Sequence, residues 1–490
     1  MLWRRTFALL AGVAVAVGSA GLSASAASAP TQPTQPTLHW TSCGGGFQCA
    51  RLPVPLDDTA AHSPTISLAL TRLPAADPHD RIGSLVENPG GPGVSAVQFV
   101  REQAKMLPAT IRDHFDIVGF DPRGVGGSAP IDCTPYLDPL YNLQFVPVND
   151  AARQALVAGV EKFVAQCEKK DGSELPYVST ERTARDMDRV RAALGDRKLT
   201  YLGYSYGTYL GALYADRYPT HVRAMVLDGA VDPTLSAAAE NIQQAEGFEH
   251  GLDLFLQNCA ADPSCVFYSG GNPGAAYDAL RARLDTNPLP AQGAGAGRTL
   301  DGTEFDIGVT TFLYSGRTEW PNLAGALEAA ATGDGSEMLE SSDQYTGRNP
   351  NGTYTPEQDA YFAIACLDGP DPGGLSGLRA IENQAALVAP RLGRSVVNNS
   401  TACAVWPVPT QTSPVPHAIG APPILVVGNT NDPATPLSGA QDLTHVLQSA
   451  VLLTVRSTMH TAYDSGIPCV DNIVDRYLVQ LVPPTPGHVC

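Results

Sequence analysis

Gly203-Tyr204-Ser205-Tyr206-Gly207 is a Gly-x-Ser-x-Gly pentapeptide. A serine framed in this way can act as an acyl-transfer nucleophile when the chain turns sharply around it between a strand and a helix. In a chain with 47 glycines the pentapeptide alone is weakly specific, so its flanks decide. Leu199 to Leu202 reads as a strand that ends at the first glycine, and Thr208 to Arg217 has helical texture. Small residues on both sides let a strained backbone pass, which lifts Ser205 Oγ above the sheet. The amide of Tyr206 then opens the helix and points where an oxyanion would form.

A serine hydroxyl needs a base, usually a histidine oriented by a carboxylate. The strand-like run Ile424 to Val427 leads into Gly428-Asn429-Thr430-Asn431-Asp432-Pro433, and Val451 to Val455 leads into Ser457-Thr458-Met459-His460. Asp432 and His460 therefore each sit on a loop just past a strand, in the order serine, acid, histidine. Parallel strands put their carboxyl ends on one edge, so Ser205, Asp432 and His460 are expected to face one another. Asp432 would fix the imidazole tautomer, while His460 takes the serine proton and returns it to the leaving group. His417 precedes the acid's strand and His488 lies in the tail, so neither fits the role.

The second oxyanion donor should come from a loop after an earlier strand. Glu87-Asn88-Pro89-Gly90-Gly91-Pro92-Gly93 follows the run Ile82 to Val86, and the amide of Gly91 is the expected partner of the Tyr206 amide. Gly124-Val125-Gly126-Gly127-Ser128-Ala129 matches a dinucleotide fingerprint loosely. Pro130 blocks the helix that would receive a pyrophosphate, and Gln144 stands where a ribose-binding acid belongs. The cysteines and histidines show no Cys-x-x-Cys zinc spacing. The chemistry expected of Ser205 calls for no metal or cofactor.

These loops imply an α/β chain with a mainly parallel central sheet flanked by helices. Ile82 to Glu87, Phe115 to Phe120, Leu199 to Gly203 and Ala224 to Leu227 are the expected strands of a first part, residues 40–231. From 232 to 415 the texture changes to helices and Gly/Pro-rich loops, as in a mainly helical cap inserted into the core. Residues 416–490 complete the sheet and carry the acid and the histidine, and a last helix over Val470 to Val482 stops before Pro483-Pro484.

Arg4 and Arg5, the apolar run Phe7 to Val17 and the small residues after it make 1–29 an export signal. Residues 30–39 form a proline-rich spacer. Removal of the signal leaves 29 basic against 49 acidic residues, a net charge of −20 that disfavours nucleic acid and anionic membranes as partners. Ten cysteines in an exported chain imply five disulfides. Pairing neighbours in order gives Cys43–Cys49, Cys133–Cys167, Cys259–Cys265, Cys366–Cys403 and Cys469–Cys490. The oligomeric state is open.

Asn88-Pro89-Gly90-Gly91-Pro92-Gly93, Asp121-Pro122-Arg123-Gly124-Val125-Gly126-Gly127-Ser128, Gly203 to Thr208 and the Asp432 and His460 loops together resemble the secreted tripeptidyl aminopeptidases of actinobacteria. These are relatives of the prolyl aminopeptidases within the α/β-hydrolases. Pro89 stands where prolyl aminopeptidases carry the histidine of His-Gly-Gly-Pro-Gly. The resemblance implies a secreted exopeptidase that releases short peptides, tripeptides by the family's name, from free N-termini, with the cap limiting substrate length. A carboxylate should then hold the substrate ammonium. Glu240, Glu246 and Glu249 stand at the start of the cap, where solvated helix charge is the simpler reading of each. An esterase or lipase with the same triad, and a silent binding protein on the same fold, are the alternatives.

Overall fold

The computed structural model describes residues 38–490, Pro370 excepted. The export-signal expectation and most of the spacer lie outside the described residues. Strands β1 (Thr41–Ser42), β2 (Gln48–Pro55), β3 (Thr65–Leu73), β4 (Gly83–Asn88), β5 (Phe115–Phe120), β6 (Leu199–Tyr204) and β7 (Val222–Asp228) build most of one sheet. A two-residue pair, β8 (Leu289–Pro290) and β9 (Thr299–Leu300), stands apart from it. β10 (Ile424–Asn429) and β11 (Ala450–Val455) finish the sheet, in the order β1-β2-β3-β5-β4-β6-β7-β10-β11. From β5 to β11 every neighbouring pair is parallel, whereas β1, β2 and β3 pair antiparallel at one edge.

The residues of β4, β5 and β10 are buried throughout, as parallel strands between two helical layers must be. Their side chains alternate between the two layers with period two. Val86, Val118, Tyr201, Met225 and Val426 pack into one apolar cluster. Their neighbours Leu85, Ile117, Leu202, Val226 and Leu425 pack into another, beneath the helix Pro468–Gln480. That helix ends where Leu481 turns to φ 62°, two residues before Pro483.

The strands β1 to β3 were not among those expected. Pro53 and Pro55 disguise β2, yet β2 lies near the open edge, where missing amides cost little.

Between β7 and β10 the chain is mainly helical, from Ala237–Ala261 through Gly393–Asn399, with the β8–β9 pair inside it. Leu252, Phe255, Phe267, Phe305 and Leu323 centre its own apolar core. A second cluster joins this insertion to the excursion between β5 and β6: Leu156, Val160 and Phe163 of the helix Asp150–Asp171 meet Phe362, Ile364 and Ala402. Two disulfides, Cys133–Cys167 and Cys366–Cys403, lie in that shared cluster. All five disulfides follow the neighbour order expected from the sequence. No helix among the described residues is long and apolar enough to cross a membrane.

Candidate active site

Ser205 sits between β6 and the helix Tyr206–Arg217 with φ 54° and ψ −125°, a strained backbone for a residue that carries a side chain. The surroundings enforce it. A Cβ at Gly207 would lie 2.8 Å from Asn88 O, and one at Gly90 would lie 2.9 Å from Ser205 Cβ and 2.6 Å from Tyr204 O. Only glycine fits at these contacts, so the Gly90-Gly91 loop packs directly on the serine turn. Ser205 N donates to Asp228 O at 2.9 Å, which ties the turn to the end of β7. Gly91, Ser205 and Tyr206 line one cavity, and among the described residues neither the Gly91 nor the Tyr206 amide has a hydrogen-bond partner.

Asp432 and His460 are brought together. Nδ1 of His460 stands 2.9 and 3.0 Å from the two Asp432 oxygens. The carboxylate is held by the amides of Ala434 and Thr435, both at 2.9 Å on Oδ1, and Thr435 Oγ1 donates to Oδ2 at 3.2 Å. His460 N donates to Tyr314 O at 2.7 Å, and the Tyr314 ring meets the imidazole edge to face. Nε2 is buried and has no hydrogen-bond partner, so the bond from Ser205 Oγ to His460 is not made in this structure. Gly229, next to the residue that anchors Ser205, packs closely beside His460. A Cβ there would lie 3.2 Å from His460 Cε1.

Sequence reasoning missed Asp228. Its buried carboxylate accepts the amides of Ala462 at 2.9 Å and Tyr463 at 2.8 Å, fixing the loop just past His460. Burial pushes its pKa up to about 6 against the pull of those amides and of His460. Asn429, the last residue of β10, donates to Met459 O and Thr461 O, both at 2.8 Å, and so holds His460 from either side. Burial alone would lower the imidazole pKa. The charge and hydrogen bond of Asp432, with the charge of Asp228, outweigh it and hold His460 above its ordinary value.

The cavity beside Ser205 encloses about 640 Å³. Among the described residues its walls carry Asp232, Glu240, Asp306 and Asp368 and no Arg, Lys or His. Asp306 is paired with Arg281, whereas the other three form no ion pair among the described residues. Asp232 Oδ2 is buried without a partner. Glu240 is an exposed residue that lines the cavity, and desolvation of its carboxylate raises its pKa, with Asp232 adding to the effect. Glu249 is spoken for by the amides of Arg391 and Leu392, and Glu246 is exposed outside the cavity.

The Asp121-Pro122-Arg123 stretch is structural. Asp121 accepts from Ser95 Oγ, Val97 N and Gly127 N, and Arg123 is buried in a two-point bond to Asp186. Among the described residues one group has metal-ligand spacing, Cys469, His488 and Cys490. Its sulfurs are joined to each other in a disulfide and offer no thiolate.

Residues 83–270 match the family described as alpha/beta hydrolase fold, and residues 389–490 match the family described as TAP-like protein. Serine protease Hip1 of Mycobacterium tuberculosis is 36% identical over 481 residues, covering 92% of this chain and 91% of that protein. The chain belongs to this α/β-hydrolase family. Two further members are carboxylesterase B of M. tuberculosis, 36% identical over 89% of this chain and 85% of its own, and tripeptidyl aminopeptidase of Streptomyces coelicolor, 31% identical over 90% and 84%. The TAP-like match includes both the Asp432 and the His460 loop, and the alpha/beta hydrolase match includes Gly91 and Ser205.

Proposed function

We propose that this chain is a serine exopeptidase that releases short peptides from free N-termini through Ser205, His460 and Asp432. The serine-hydrolase chemistry rests on the Asp432–His460 pair, which stands past β10 and β11 on the same sheet edge as the strained Ser205 turn, and the choice of peptides rests on the acidic cavity beside Ser205. Ser205 Oγ attacks the peptide carbonyl while its proton passes to His460 Nε2, the one unpartnered nitrogen of the ring. The Gly91 and Tyr206 amides receive the oxyanion. His460 then protonates the leaving amine, which carries away the rest of the peptide, and water hydrolyses the acyl enzyme by the reverse proton path. The Ser205–His460 bond closes when substrate occupies the site, as catalytic hydrogen bonds often do.

The acidic cavity favours a peptidase acting on free N-termini. A substrate ammonium placed between Glu240 and Asp232 meets two carboxylates that no protein cation neutralises. The name of the Streptomyces relative points to tripeptides as the released product. Five disulfides fit an enzyme that works after export, in an oxidising compartment.

The carboxylesterase relative keeps an esterase reading open to test. Ser205→Ala should lower kcat on a tripeptide anilide by about 10⁴-fold or more with the fold intact, and should abolish labelling by a fluorophosphonate. Acetylation of the substrate amine should remove most cleavage by the parent enzyme. Equal cleavage of free and acetylated peptides, or turnover of short-chain esters with cleavage of neither peptide, would refute the exopeptidase reading.

A further inference from the structure

Asp368 is left over when the ammonium has been assigned to Glu240 and Asp232. It is the last residue of the helix Glu357–Asp368, the end at which the helix dipole repels an anion. Its carboxylate accepts from Thr180 N at 2.9 and 3.0 Å and from Thr180 Oγ1, all neutral donors. It faces the cavity, and among the described residues no cation pairs with it. Asp368 is half-buried, and a partly desolvated carboxylate at the negative end of a helix is unfavourable unless something positive joins it. Burial, with the charge of Glu181, pushes its pKa up to about 7 against the pull of the Thr180 hydrogen bonds.

Its place relative to the nucleophile is fixed by a short chain of contacts. Tyr206 follows Ser205, the Tyr206 hydroxyl bonds Thr180 Oγ1, and Thr180 Oγ1 bonds Asp368. The path from Ser205 to Asp368 is therefore one tyrosine side chain and two hydrogen bonds long. The rings of Tyr206 and Tyr209 line the cavity with Asp368. Aromatic faces beside a carboxylate make a favourable surround for an organic cation.

We propose that Asp368, with the Tyr206 and Tyr209 rings, forms a subsite that selects a lysine or arginine side chain in the peptide segment acylating Ser205. The inference rests on the exopeptidase reading, because it needs a peptide in the cavity. The incoming cation supplies the missing countercharge, and the stem of the side chain covers the tyrosine rings. Uncharged residues leave the carboxylate enclosed and uncompensated, and acidic ones add repulsion.

The test is a set of free-N-terminal tripeptide anilides in which lysine, norleucine or glutamate is placed at each of the three positions in turn. At one position the wild-type enzyme should show a lysine-to-norleucine ratio of kcat/KM of about tenfold or more, with glutamate poorest. Asp368→Asn should bring that ratio to about one, and Asp368→Glu should keep it above that of the asparagine variant. The ratio is taken within each protein, so a general loss of turnover does not disturb it. If the asparagine variant does not fold, the wild-type panel still decides. Cleavage of norleucine peptides with no lysine preference at any position overturns the subsite and leaves the exopeptidase reading standing. Cleavage of none of the peptides overturns the exopeptidase reading itself. Loss in Asp368→Asn of discrimination between free and acetylated termini, with the lysine preference intact, would make Asp368 the ammonium anchor and overturn the proposal.

Discussion

Asp432→Asn changes no volume, and the structure says what it does change. The amides of Ala434 and Thr435 both donate to Oδ1 at 2.9 Å, so they hold the asparagine oxygen at that position. The asparagine NH₂ then takes the place of Oδ2 and donates towards His460 Nδ1, 3.0 Å away. Nδ1 becomes an acceptor and the ring proton moves to Nε2, the nitrogen that must receive the Ser205 proton. The charge is lost as well. During acylation the imidazole becomes a cation 2.9 Å from the Asp432 oxygen. At an effective dielectric of about 20 that attraction is worth about 6 kcal/mol, which corresponds to a rate factor of about 10⁴. The tautomer and charge effects act on the same proton transfer and do not add. The assay is kcat and KM on a free-N-terminal tripeptide anilide across the pH range, alongside a thermal melt. The expected result is a kcat lower by about 10⁴-fold with KM little changed and the melt close to that of the parent. A folded variant within about tenfold of the parent would show that His460 does not depend on Asp432, and the triad assignment would fall.

Asp228→Asn should move the acid limb of the kcat/KM profile to lower pH. His460 must be neutral to act, so activity is lost as pH falls through its pKa; Asp228 helps hold that pKa above 6.5, and removing its charge lets it drop. An unmoved limb would deny the coupling. Glu87 is buried with neither oxygen partnered, and burial, with Asp464, raises its pKa to about 8. An acid so raised costs nothing below about pH 4.5 and weakens the fold as pH climbs through 8. Glu87→Gln should therefore stabilise the protein at pH 8 by on the order of 4 kcal/mol and leave it unchanged near pH 4, as thermal melts at the two pH values will show. Replacing Cys133 and Cys167 together by serine opens a loop of sequence separation 34. It should cost about 4 kcal/mol in a urea titration, and parent-like stability would mean that this loop is held by packing alone.

The three proposed catalytic positions could be read from the sequence because each follows an uninterrupted β-rich run, and a parallel sheet puts such run-ends on one edge. β6, β10 and β11 are those runs, and the register of β10 against both β7 and β11 sets the loops side by side. What supports the histidine could not be read in this way. Asp228 closes β7 as one acid among 49, and its purpose appears only when Ala462, 234 residues away, arrives with its amide. The cap glutamates make the same point within one helix. Glu240 lies in the first turn of Ala237–Ala261 and opens onto the cavity, while Glu249 further along is consumed by the backbone at Arg391 and Leu392. The sequence does not distinguish them, and only the packing of the helix, against Gly393–Asn399 among others, leaves Glu240 on the cavity and Glu249 on the backbone. The antiparallel edge was hidden for a local reason, two prolines in β2.

Sequence identity does not choose between hydrolysis of peptides and of esters, since a relative named for a protease and one named for a carboxylesterase are each 36% identical to this chain. The triad does not choose either, because acyl transfer to serine is common to both. In the proposed exopeptidase the choice rests on the wall of the cavity. Asp232, just ahead of one helix, Glu240, in its first turn, and Asp368, at the end of another, line one cavity that has no Arg, Lys or His among the described residues. Negative charge at this wall is costly: Asp232 adds to the burial that raises the Glu240 pKa, and Glu181 adds to the burial that raises that of Asp368. A neutral acyl chain would make that worse by removing water from them, whereas an ammonium, joined by a basic side chain, converts the same repulsion into binding. The cost is repaid only when the substrate arrives carrying positive charge. For that reason the discrimination between charged and neutral substrates should exceed the discrimination between amide and ester in substrates that both carry a free ammonium.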